Sequence, residues 1–155
     1  MYPKELEEAE PIIARQPCVT SAVVIYDVGT IDSRFFAELR DNKKIMGIKC
    51  PTCNRVYVPP RVVCKECFHE LKEWVEVSSR GTLLTYTVIP EPGIHQPMQP
   101  PYAIGIIQLD GADTGLIHCI GEAEFGELRV GMRVRAVFKE EREGNILDIE
   151  YFRPL

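Results

Sequence analysis

Four cysteines in two pairs, Cys50-Pro51-Thr52-Cys53 and Cys64-Lys65-Glu66-Cys67, are the residues of this chain best suited to chemistry. Each pair encloses two residues, and ten residues separate the pairs. A C-x-x-C turn offers two thiolates to one ion at roughly 2.3 Å, so two such turns complete a tetrahedral zinc site. Iron is the second ion that paired thiolates favour. A four-sulfur site has no open coordination position, so its metal holds structure and does no chemistry. Two other readings compete. A redox dithiol usually stands singly beside a β-α-β pattern, which is absent here. Disulfides need an oxidising compartment, and the start, Met1 to Glu8, lacks the basic and apolar blocks of a secretion signal. The expected ligand set is therefore Cys50, Cys53, Cys64 and Cys67.

The spacer between the pairs holds Val56-Tyr57-Val58, then Pro59-Pro60, then Val62-Val63. It reads as two short strands around a stiff bend, the hairpin of a zinc ribbon. Asn54 follows the first knuckle and tolerates a left-handed backbone. Before the ribbon, Lys4 to Ala9 reads as an acidic helical stretch and Val19 to Tyr26 as a strand. Asp32 or Ser33 is expected to cap a helix from Arg34 to about Arg40. Phe35, Phe36 and Leu39 give that helix an apolar face it cannot bury alone, so it is expected to pack on another domain or a partner.

From Glu73 onward the pattern turns to strands. Trp74 to Val77 begins it, and Ser79-Arg80-Gly81 makes a turn before Thr82 to Ile89. Tyr102 to Leu109 is a buried-type strand with a bend or bulge expected at Gly105. Asp110-Gly111 is a hairpin signal leading to Leu116 to Ile120. Met132 to Lys139 alternates as a half-buried strand, and Ile146 to Phe152 closes the pattern with Leu147, Ile149 and Tyr151 on one face. The fold class is mainly β, with a small five-stranded barrel of the OB type following the ribbon and a sandwich as the competing architecture. The expected division is an N-terminal arm over 1–45, the zinc ribbon over 46–72 and the barrel over 73–155.

The chain has 155 residues, 45% of them hydrophobic, and a net charge of −5, enough for one sizeable core and a small appendage. No apolar run reaches the roughly 20 residues that a bilayer requires. Unpaired Cys18 and Cys119, together with the missing signal, make the cytoplasm the expected compartment. Residues 40–72 carry eight Lys or Arg against three acidic residues, which invites a nucleic-acid reading. Two readings compete with it: offsetting the charge of four thiolates, or meeting a phosphate-bearing ligand. Residues 74–155 carry 7 basic and 12 acidic side chains, which disfavours a single-strand-binding barrel, the alternative function weighed here.

No catalytic apparatus is expected. His69 could be a spare metal ligand, but a solvated or hydrogen-bonded position is the favoured reading. His118 and Cys119 adjoin in a strand and point to opposite faces, so they cannot form a nucleophile–base pair. Cys18 has no nearby base. The segment Pro90 to Pro101 holds five prolines around Ile94, His95 and Met98, a stiff loop that reads either as a partner-contacting element or as a plain surface connection.

The order of these parts resembles a known family. The helix ending Arg40-Asp41-Asn42-Lys43-Lys44, the ribbon with Val56-Tyr57-Val58-Pro59-Pro60-Arg61, then Glu73-Trp74-Val75-Glu76 and Gly81-Thr82-Leu83-Leu84-Thr85-Tyr86-Thr87-Val88 carry the likeness. They look like the acyl-CoA-associated proteins that join a rubredoxin-like zinc ribbon to an OB-fold barrel, long filed as a domain of unknown function. The match runs over about residues 33–155. Asn54 and Phe68 depart from the glycine frequent after each knuckle. The resemblance implies a non-catalytic accessory subunit in a hetero-oligomer with a thiolase-like enzyme acting on 3-oxoacyl-CoA, with a coenzyme A thioester at the partner interface. It implies neither nucleic-acid nor membrane partners. The arm further resembles small subunits of benzoylsuccinyl-CoA thiolase, from anaerobic toluene degradation; archaeal acetoacetyl-CoA thiolase scaffolds and steroid side-chain aldolase partners share much of the pattern.

Overall fold

The computed structural model describes residues 28–93 and 96–155. The expected elements at Lys4 to Ala9 and Val19 to Tyr26, and the residues Cys18, Ile94 and His95, lie outside the described residues.

Helix α1 spans Gly29–Asn42, five residues earlier than expected at its start. Its N-cap is Val28 and no side chain caps it, so neither Asp32 nor Ser33 takes that role; Asp32 instead lies in the first turn, where a carboxylate favours the helix dipole. Lys43 ends the helix in a left-handed conformation at φ 54°, donating its N–H to the Glu38 carbonyl. Phe35 and Leu39 are buried and Phe36 packs beside them, its ring 5.5 Å from that of Phe35. Their cover comes from this chain itself, because they join one apolar cluster with Ile45, Val58 and the barrel interior. Of the two expected settings, another domain or a partner, the structure shows the first.

Strands β1 (Ile45–Lys49), β2 (Val56–Tyr57) and β3 (Glu73–Val77) form an antiparallel sheet in the order β2-β1-β3. Two expectations change here. Val56-Tyr57 pairs with Ile48-Lys49, not with Val62-Val63; Val63 keeps only an isolated bridge to Glu70. The strand at Trp74 pairs along its whole length with β1, from Ile45 opposite Val77 to Lys49 opposite Glu73. The physical reason is local. Two close knuckles leave no room for a long hairpin between them, so the flanking segments supply the sheet.

The barrel consists of β4 (Arg80–Ile89), β5 (Tyr102–Leu109), β6 (Gly115–Ile120), β7 (Arg133–Phe138) and β8 (Ile149–Pro154), closed in the order β4-β5-β6-β8-β7. All pairs are antiparallel except β6 with β8, which meet in parallel at Ile120 and Phe152. Closure removes the exposed sheet edges that would otherwise invite pairing with other chains. Leu83, Ile107, Ile120, Val134, Ile149 and Phe152 fill the interior with no measurable exposure.

The bulge expected at Gly105 lies instead on the neighbouring strand, between Leu83 and Thr85 of β4, opposite Ile106 and Ile107. Gly105 is needed for closeness instead: a Cβ there would sit 2.5 Å from Leu83 and 2.8 Å from Ile120. On β8 the inward residues are Ile149 and Phe152, not Leu147, Ile149 and Tyr151. A register shift between Val137 and Phe138 of β7 changes the face partway along the strand. Ile146–Asp148 forms a 3-10 turn instead of strand.

The sheet and the barrel are stitched together. Val56 N–H donates to Asp113 Oδ2 at 2.8 Å, and Asp113 N–H returns a bond to the Val56 carbonyl at 2.9 Å. Thr114 Oγ1 accepts from Val58 N–H at 2.7 Å and donates to the Val58 carbonyl at 2.8 Å. The β5–β6 turn thereby covers the free edge of the ribbon's three-stranded sheet at β2.

Candidate metal centre

Each knuckle is built the same way. Cys50 N–H donates to the Arg55 carbonyl and Cys64 N–H to the His69 carbonyl, both at 2.9 Å. Asn54 N–H and Phe68 N–H return to the Cys50 and Cys64 carbonyls, both at 3.0 Å. Closing these tight turns requires a left-handed residue, and Asn54 (φ 59°) and Phe68 (φ 58°) supply it without glycine. Asn adopts that region readily; Phe68 does so at a steric cost and leaves its ring 80% exposed.

The knuckles bring the four predicted sulfurs together, all within 4.8 Å of one another. Cys53 and Cys64 are 3.7 Å apart, far from bonding distance for a disulfide, and every described cysteine is free. A tetrahedron of 2.3 Å zinc–sulfur bonds has edges of about 3.8 Å, so the donor set fits zinc. Held together without an ion, these groups oppose one another. The Tyr57 hydroxyl, followed by backbone N–H groups, draws Cys64 down to about 6 against the opposing effect of burial. Desolvation, then the Cys53 and Cys64 sulfurs, push Cys67 up to about 12. A divalent cation would hold all four as thiolates and supply structure, leaving no position open for a substrate.

His69 stands outside the cluster, its Nδ1 3.1 Å from the Cys67 carbonyl. Of the eight cations over residues 40–72, seven lie within 4 Å of a carboxylate, as Lys44 does with Glu76 at 2.6 Å and Arg55 with Glu66 at 3.0 Å. Arg61 instead lies over the Tyr57 ring, 5.3 Å from its centroid. Sequence counting saw an excess of charge because Glu73, Glu76 and Glu140 lie beyond the stretch counted.

In the barrel, His118 and Cys119 are each about 95% buried and alternate across β6 as expected. His118 Nε2 lies 3.2 Å from the Ile146 carbonyl, while Nδ1 has no hydrogen-bond partner. Burial first of all holds this imidazole below its ordinary range, and burial raises the Cys119 thiol. Neither is activated. Asp148 was not anticipated as special, yet its buried carboxylate accepts from the N–H groups of Glu143, Gly144 and Asn145 at 2.8, 2.8 and 3.3 Å. The Asn-x-x-Asp spacing at 145–148, a capping box, was the available signal.

The outside of β5 and β6 is aliphatic where a solvated strand would be polar. Ile104 and Ile106 are half-buried and Ile117 is 65% exposed. They border two shallow apolar pockets of about 190 and 240 Å³; Pro97, from the proline-rich loop, lines the first.

Residues 37–71 match the family model described as the rubredoxin-like zinc ribbon domain of ChsH2, and residues 74–139 match that of the ChsH2 C-terminal OB-fold domain. A DUF35 domain-containing scaffold protein of Methanocaldococcus jannaschii is 31% identical over 130 residues, covering 79% of this chain and 89% of the relative. The chain belongs to the DUF35 family. A second DUF35 scaffold protein, from Pyrococcus furiosus, is 28% identical over 127 residues, covering 79% of this chain and 92% of the relative. Among solved structures, a chain of the Ltp2-ChsH2(DUF35) aldolase superimposes with a TM-score of 0.61 at 22% identity, over 83% of this chain and 98% of that one. A DUF35 protein of unknown function from Sulfolobus solfataricus superimposes with a TM-score of 0.60 at 25% identity, over 81% and 84%. The ribbon–barrel order expected from the sequence is thus that of the DUF35 family. Among the described residues, no helix is long and apolar enough to cross a membrane.

Proposed function

We propose that this DUF35 chain is an accessory subunit that carries a structural zinc on Cys50, Cys53, Cys64 and Cys67 and docks on an enzyme of thiolase type, performing no bond chemistry itself. The observation that carries the reading is the four-sulfur cluster, whose donors leave no coordination position for a substrate. Among the described residues, His118 and Cys119 of the barrel are buried and, as neighbours in β6, point apart. The scaffold description of the relatives and the aldolase assembly containing a similar fold support a role in a hetero-oligomer. The aliphatic strip around Ile117 supports it too, since exposed apolar patches of this kind mark contact surfaces.

The substrate of the assembly is a 3-oxoacyl-CoA whose thioester lies at the subunit interface, and benzoylsuccinyl-CoA is the candidate the arm's resemblance favours. Copurification from the native source, with mass spectrometry of the partner, tests the assembly. Thiolysis of benzoylsuccinyl-CoA is then compared for the partner alone and for the complex. The expected result is turnover by the complex and little by either chain alone. Full activity of the partner without this chain would remove the accessory role, and turnover by this chain alone would refute its silence.

A further inference from the structure

The metal centre is not symmetric in its surroundings. Tyr57, on β2, is 1% exposed, and its hydroxyl lies 3.2 Å from Cys64 Sγ, with the Lys65 backbone N–H as a second partner. The Cys67 N–H reaches the same sulfur at 3.4 Å. Among the described residues, no hydroxyl bonds to Cys50, Cys53 or Cys67. The position of Tyr57 is over-determined: its backbone pairs with Ile48, its ring packs in the small cluster with Leu71, and the Arg61 guanidinium covers its face. A cation over a phenol ring draws charge from it and makes its O–H a stronger donor.

We propose that the Tyr57 hydroxyl is an outer-sphere donor to the Cys64 thiolate, positioned by Ile48 and Arg61, which tightens metal binding and makes Cys64 the least electron-rich corner of the centre. This rests on the zinc reading above. A hydrogen bond to a metal-bound thiolate removes electron density from sulfur, lowers the repulsion among four anionic donors and fixes the ligand's orientation, and losing such a partner typically costs about 10–100-fold in affinity. Cys53 is exposed and is reached by the Arg55 backbone N–H but by no hydroxyl among the described residues, so the two knuckles differ in their donors as well as in burial.

The test is Tyr57→Phe in the full chain, loaded with zinc or cobalt(II). Chelator competition should show zinc bound at least about tenfold more weakly than in the wild type. The cobalt thiolate charge-transfer band should move to longer wavelength, because a sulfur relieved of its hydrogen bond gives up charge more easily. A merely structural tyrosine would not move that band; a band that stays in place overturns the proposal whatever happens to affinity. Where the Phe variant fails to fold, the wild-type chain loaded with 113Cd supplies the second readout. A slowly exchanging Tyr57 hydroxyl proton correlated with cadmium supports the proposal, and one exchanging freely with solvent overturns it. A wild-type chain that takes up neither zinc nor cobalt would instead overturn the metal reading on which it rests.

Discussion

The ribbon and the barrel solve the same problem, ordering a short chain, with different materials. The barrel encloses a core of leucine, isoleucine, valine and phenylalanine inside five mutually hydrogen-bonded strands. The ribbon's own cluster is Ile48, Cys50, Tyr57, Cys64 and Leu71, so sulfur stands where the barrel places aliphatic carbon. A segment of this size buries too little apolar surface to offset its conformational entropy, and under the proposed zinc reading metal–thiolate bonds would make up the difference. On the zinc reading proposed above, order in the ribbon is conditional on an ion, and order in the barrel is not. The two are nevertheless coupled, because Phe35, Leu39, Ile45 and Val58 face the barrel's cluster and not the sulfurs.

The sharpest way to break this contrast is to remove the ion. Cys50→Ser, or strong chelation, should cost the ribbon stabilisation on the order of 10 kcal/mol. Hydrogen exchange should then show β1 to β3 losing protection while β4 to β8 keep theirs; loss of both together would mean that one cooperative unit spans them. The converse change is Phe152→Ala, which removes a ring with no exposure at the parallel β6–β8 contact. It should lower barrel stability by about 3–5 kcal/mol in urea unfolding and leave the zinc stoichiometry unchanged. Coupling is probed by Thr114→Val, which deletes both hydrogen bonds to Val58. A loss of about 1–3 kcal/mol is expected, with ribbon and barrel transitions separating. Coincident transitions at wild-type stability would show that packing alone joins them.

The smallest effect concerns pH. Burial holds the His118 imidazole below its usual 6.5 in the folded chain. Below that value the unfolded chain takes up the proton more readily, so stability should fall as pH drops from neutrality through 6.5 toward the lower folded value. His118→Gln, which keeps a donor for the Ile146 carbonyl, should flatten this slope, as read from urea midpoints across pH 7 to 5. Parallel slopes for the two proteins would assign the loss to other groups.

The clustering of the four cysteines, the strand-rich second half and the Asp110-Gly111 hairpin were legible because they depend on spacing and on local backbone preference. Gly111 takes the positive φ that its turn requires, and the two knuckles close over fixed two-residue gaps. The start of α1 was misplaced because its stability comes from burying Phe35 and Leu39 and not from a capping side chain. Pairing was misassigned where register depends on distant chain: nothing in Trp74 to Val77 reveals that β1, twenty-odd residues earlier, lies beside it. The bulge expected at Gly105 moved to Leu84 for a related reason, since a close approach and a bulge both favour glycine but only the opposing strand shows which applies.

Residue type and interval, then, settled which atoms can hold an ion and which segments run extended, because both depend on a few neighbouring torsions. The partner of each strand, the aliphatic outer face at Ile117 and the hydroxyl aimed at Cys64 were decided only by tertiary structure. Those features arise when segments far apart in the chain compete for the same space, and that competition is settled by packing and hydrogen bonding across the whole molecule.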